Sequence, residues 1–258
     1  MRRLPNLFLL CTLAFAQIPQ QWIKEGLEAY KAAQYDEAID DFKQAIAADP
    51  KSVEAHLYLA TAYIAAGKDA RPEFATILEL DPKNRQALAS LASLAFQAGD
   101  FEEARNRYTQ ILRNEPNNKE AHYALGVIAW TRFYPAYKAA HQRAGLKPGD
   151  LGPFKDAKLR SAVRKEWDPV IQDGMDHLQR AIQLDPQYDD AMAYLNLLIR
   201  ERADLADNPY AWQAEMAKAE TWVKKAQEVK KQKAAAGAGT TPGLVIAAPP
   251  PPPPPTPL

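Results

Sequence analysis

Four stretches of this chain end in the same way, with an aliphatic run, an acidic residue and a proline: AIAADP at 45–50, ILELDP at 77–82, ILRNEP at 111–116 and AIQLDP at 181–186. The residue before a proline is pushed out of the helical region, so Asp49, Asp81, Glu115 and Asp185 mark helix ends. Each stop leads into a new run of small and aromatic residues, such as AHLYLATAYIAAGK after Pro50 and AHYALGVIAW after Pro116. This recurrence constrains the fold more than any composition does. A helical unit of this size leaves an apolar face that only a neighbouring unit covers, so the units must stack.

Pro82 to Pro116 spans 34 residues, the period of tetratricopeptide repeats. Residues 19–52 carry Trp22, Gly26, Ala38, Phe42, Ala45 and Pro50, and residues 85–118 carry Leu91, Ala92, Gly99, Ala104, Tyr108 and Pro116. Residues 53–84 show Leu59, Ala60, Tyr63, Gly67, Ala70, Phe74 and Pro82, two residues short at the turn between the helices. At these positions the chain resembles the tetratricopeptide-repeat family. A fourth unit takes its helices from AHYALGVIAW and GMDHLQRAIQLDP, with an insert at 133–168, and a fifth begins at DDAMAYLNLL and serves as a cap. The resemblance implies an all-α fold, a right-handed α-solenoid of about five helix hairpins over residues 17–233. Gly26, Ala60, Ala92 and Gly126 are the small residues where paired helices approach, and Leu59, Leu91, Leu125 and Leu195 recur on the buried stripe.

The ends of the chain read differently. Arg2 and Arg3 precede the apolar run LFLLCTLAF, which closes on Ala14-Phe15-Ala16 before Gln17. This is the pattern of a secretory signal peptide over residues 1–16, too short to span a bilayer, with cleavage expected after Ala16. The alternative, acylation of Cys11, meets Leu10 where lipoprotein signals carry a small residue. Cleavage removes the single cysteine, and with it any disulfide or thiolate site, and leaves 30 basic against 32 acidic residues. That balance points to neither nucleic acid nor an anionic membrane as partner. Export therefore predicts a periplasmic or secreted protein with no transmembrane helix in its mature form. Residues 234–258 have no periodic apolar face, which predicts disorder, and Pro249–Pro255 predicts a stiff polyproline II rod, either a spacer or a ligand for an aromatic groove.

No zinc, calcium, phosphate-loop or nucleophile-elbow spacing occurs, so no metal or cofactor is expected and an enzyme is not the first reading. His56 and His122 share the register position of Trp22 and read as packing groups. Within the resemblance, ligands lie along the first helices on the concave face. That maps to Lys24, Tyr30, Tyr58, Thr61, Ser90, Ser93, Tyr123, Val127, Trp130 and Tyr194, an aromatic and nearly uncharged groove suited to a protein partner or an extended apolar peptide. The family's carboxylate clamp lacks its Asn pair here. The same register leaves open that Tyr58, Tyr123 and Tyr194 pack between adjacent repeats.

The insert carries Lys138, Arg143, Lys147, Lys155, Lys158, Arg160, Arg164 and Lys165 against four acids. It predicts turns at Lys147–Asp150 and Gly152-Pro153, then a short helix from Pro153 to Lys165, either a solvated basic helix or a docking element for an anionic partner. The alternative to a non-enzymatic scaffold is an accessory envelope enzyme whose site the insert builds from His141 with Glu166 or Asp168.

Overall fold

The computed structural model describes residues 7–146 and 152–236, and these form ten α-helices with no strand among them. Residues 1–6 of the expected leader, the Lys147–Asp150 turn and the Pro-rich tail from residue 237 lie outside the described residues. The chain divides into two compact units between Leu94 and Ala95.

In the first unit, α1 (Leu7–Lys31) pairs with α2 (Tyr35–Ala48), and α3 (Val53–Ala65) pairs with α4 (Arg71–Leu80) and packs on α2. The acid-proline stops behave as the sequence requires: Asp49 and Asp81 leave the helical region at ψ 90° and 89°. At Gly26 an added Cβ would stand 2.6 Å from the Phe42 ring, which is how closely α1 and α2 approach. The two residues missing from the second hairpin shorten α4. It has 10 residues against 14 in α2, and Ala70, buried where Ala38 is buried, becomes its N-cap instead of lying inside the helix. His56 is buried as a packing group, its Nδ1 2.6 Å from Glu73 Oε2 and its Nε2 3.2 Å from the Pro50 carbonyl. It ties the first helix of the hairpin to the second and to the preceding turn.

Helix α5 (Arg85–Gln97) carries the division between the units. Leu91 on it is half-buried, whereas Leu59, Leu125 and Leu195 are buried as the stripe predicts.

The second unit holds α6 (Phe101–Asn114), α7 (Lys119–Arg143), α8 (Ala157–Leu184), α9 (Asp189–Ala203) and α10 (Pro209–Ala235). The insert is not a surface loop with a short helix of its own. It lengthens both helices of the fourth hairpin, α7 to 25 residues and α8 to 28, and Asp156 caps α8 by accepting from the Lys158 and Leu159 amides. The physical reason is apolar. Phe133 and Phe154 from the insert are fully buried, and Tyr137, Leu159, Val163 and Trp167 pack on the same core. The hairpin is zipped by small residues from both sides. A Cβ on Gly126 would sit 2.3 Å from Leu178, and one on Gly174 would sit 2.5 Å from Ala129.

Candidate functional site

The ten residues mapped to a ligand-binding face divide by unit. In the first, Lys24 is exposed, Tyr30 and Tyr58 are half-buried, and Thr61, Ser90 and Ser93 are buried. Tyr30 lies 5.5 Å from the ring of Tyr35, and Tyr58 stacks at 5.5 Å on Phe42. Thr61 donates its hydroxyl to the Leu57 carbonyl of its own helix.

In the second unit the expected groove is a core. Tyr123, Val127, Trp130 and Tyr194 are 8%, 4%, 4% and 1% exposed, which withdraws all four from an open ligand surface. Successive first helices α7 and α9 pack against each other, and the aromatic stripe is the material between them. Tyr194 meets Trp130 edge-on at 5.3 Å and Tyr123 at 6.0 Å, Tyr188 lies 4.8 Å from Tyr123, and Tyr134 stacks on Trp130 at 4.9 Å. The packing reading of the register therefore holds for Tyr123 and Tyr194.

At the C-terminal end of α9 two carboxylates are drawn into this core. Trp130 Nε1 donates to Glu201 Oε1 at 3.0 Å, while Glu201 Oε2 is buried without a hydrogen-bond partner. Burial raises the Glu201 carboxyl to about 8, and neighbouring Asp204 adds to the rise while the indole bond opposes it. Asp204 accepts from the Tyr137 hydroxyl at 2.8 Å and from Trp212 Nε1 at 2.9 Å, and its backbone carbonyl accepts from the Phe154 amide at 2.9 Å. Burial pushes its carboxyl up as well, against those two side-chain bonds. Nothing in the local sequence around Glu201 and Asp204 signals this arrangement; Trp130 lies 71 residues from Glu201, and Tyr137 lies 67 residues from Asp204.

The insert's polar residues also find partners other than those expected. His141 faces Asp204 at 3.6 Å and the rings of Tyr137 and Phe154, while Asp168 lies near Arg164 and Arg202. The pairing of His141 with Glu166 or Asp168 on which an insert-built active site depended is replaced by a structural contact to α9. Among the insert's cations, Arg160 donates to the Phe154 carbonyl and Arg164 pairs with Asp207 at 2.9 Å, so both serve to close the insert.

A cleft of about 340 Å³ opens between α6, α7 and α8 over an apolar floor of Leu125, Ile128 and Val170. Two ion pairs bound it, Arg132 with Glu102 at 2.8 Å and Arg105 with Asp173 at 3.5 Å.

Tetratricopeptide-repeat models match residues 23–84 and 68–128. Among curated proteins, tetratricopeptide repeat protein 37 of Xenopus laevis is 28% identical over 168 residues, covering 64% of this chain and 9% of that protein. Hsp70-Hsp90 organizing protein 1 of Glycine max is 29% identical over 103 residues, covering 38% of this chain and 17% of that one. The chain thus spans less than a fifth of either relative. Among solved structures, MamA of Desulfovibrio magneticus RS-1 superposes with a TM-score of 0.58 at 14% identity, over 83% of this chain and 96% of that one. YrrB, "a TPR protein with an unusual peptide-binding site", superposes with a TM-score of 0.53 at 13% identity, over 86% and 95%. Paired helices with small residues at each crossing and acid-proline stops between hairpins define an all-helical repeat protein. Specifically, residues 23–128 are tetratricopeptide repeats, and the chain is a tetratricopeptide-repeat protein over that stretch.

Proposed function

We propose that the chain is exported and works as a non-enzymatic scaffold that holds protein partners or extended apolar peptide segments against the first-helix face of its repeats. The observation that carries the reading is the unequal use of aromatic residues. The second unit spends its stripe on internal packing, whereas the first keeps Tyr30 and Tyr58 partly accessible on α1 and α3. Tyrosine offers large contact area at low entropic cost, which suits a recognition surface. The peptide-binding site in the name of YrrB, and the organising role in that of the Glycine max relative, support the class of activity.

Binding is tested by probing an array of extended apolar and Pro-rich peptides with the purified chain and titrating the strongest binder. Tyr30→Ala and Tyr58→Ala are each expected to weaken it about tenfold, as loss of an aromatic anchor does. Lys24→Ala and a rise in salt are expected to change it little, because few desolvated charges take part. Unchanged affinity in both tyrosine variants would sink the assignment of this face. Export is tested separately by N-terminal sequencing of the protein from cells, for which a start at Gln17 is expected; retention of Met1 contradicts export, and a start at acylated Cys11 replaces cleavage after Ala16 with the lipoprotein alternative.

A further inference from the structure

On the reading of the first-helix face as the binding surface, we propose that Tyr30 and Tyr58 are covered in the free protein by the proline run Pro249–Pro255 of the same molecule, which a partner must displace. Tyr30 and Tyr58 stand half-buried around one core of Ala29, Phe42 and Leu59, with Leu27 beside them. Ile64, on the same helix as Tyr58, is apolar and yet 40% exposed. These side chains sit on α1 and α3, which touch each other within the first unit.

Hydrogen bonding sets what such a surface can hold. An ordinary extended segment carries an N–H at every residue, and a donor laid against aromatic and aliphatic side chains loses its water without gaining a partner. Proline has no N–H and a fixed φ, so a proline run arrives already extended and with no donor to desolvate. The chain holds one such run, seven consecutive prolines at 249–255. Residues 237–258 contain no charged side chain, which matches a face that is nearly uncharged. At ~3.1 Å per residue the run is roughly 22 Å long, enough to lie across two first helices set ~8–10 Å apart.

Tethering decides which copy supplies it. Two half-buried tyrosines make a weak site, which a second copy at micromolar concentration would leave empty, whereas a covalent tether gives an effective concentration on the order of millimolar. Residues 236–248 join the end of α10 to the run, with a contour of up to ~45 Å.

The probe is a labelled synthetic peptide of residues 247–258. It is titrated by fluorescence anisotropy into the full wild-type chain and into a full-chain variant whose Pro249–Pro255 is replaced by a Gly/Ser heptad of equal length. The variant is expected to bind the peptide at least about tenfold more tightly than the wild type, whose own tail competes. Adding Tyr58→Ala to the variant should weaken the peptide about tenfold, and both chains should sediment as monomers. Equal affinity for the two chains, or no binding to the variant, overturns the inference. So does a wild-type dimer that the heptad replacement dissolves, because it places the run on a second copy. If the tail peptide fails while another array peptide binds the variant and is lost with Tyr58→Ala, the tail assignment falls and the face stands. If no peptide depends on Tyr30 or Tyr58, the reading of the face falls with it.

Discussion

Trp130→Ala is expected to destabilise the second unit by ~3–5 kcal/mol, the usual cost of emptying a fully packed aromatic site. Trp130 is 4% exposed, stacks on Tyr134, meets Tyr194 edge-on and donates its indole hydrogen to Glu201. Truncation therefore leaves a cavity between α7 and α9 and strips a buried carboxyl of its hydrogen bond, and the two losses act together. The measurement is chemical unfolding followed by fluorescence of the remaining tryptophans of the unit, Trp167, Trp212 and Trp222. A variant that unfolds with the wild-type midpoint, but fails to bind peptide, would restore Trp130 to an exposed recognition face.

Alkaline conditions are expected to weaken the same unit through Glu201. Its carboxyl is raised to about 8 in the folded chain, chiefly by burial, against an ordinary value of 4.5. The folded state holds a proton that the unfolded state releases across that window. The stabilising contribution is thus complete below about pH 4.5 and is lost as pH rises through about 8. Between pH 5 and pH 9 the loss is on the order of 4 kcal/mol, at 1.36 kcal/mol for each tenfold step. Glu201→Gln keeps an oxygen for Trp130 Nε1 and removes the titration. Its stability should stay nearly flat over the range and exceed that of the wild type at pH 9. A wild-type unit equally stable at both pH values would show that the carboxyl is not neutral when folded.

The hairpins themselves were legible along the chain. A proline one residue past an aliphatic run ends a helix by local sterics, whatever lies around it, and Asp49, Asp81, Glu115 and Asp185 are all C-caps. Small residues at fixed spacing likewise announced where helices touch, and Gly26 and Gly126 sit at such crossings. Gly174 makes an equally close approach yet escaped the pattern, because it lies on a second helix opposite Ala129, outside the repeat's small positions.

Periodicity assigns residues to one face of a helix and leaves open what covers that face. Tyr123, Val127 and Trp130 do share a face of α7, as their spacing requires, and α9 closes over it with Tyr194. The basic insert read as a loop because its charges and turn residues dominate its composition. Phe133 and Phe154, at its start and middle, instead joined the core and drew the hairpin helices out with them. Repeat register is a local property of helix stops and contact spacing, so the sequence by itself determined it. The burial of the aromatic stripe, the neutral Glu201 and the facing imidazoles of His122 and His177 depend on groups about 55 to 71 residues apart. Only the tertiary structure decided those, because desolvation and hydrogen-bond pairing act through space and no local pattern records them.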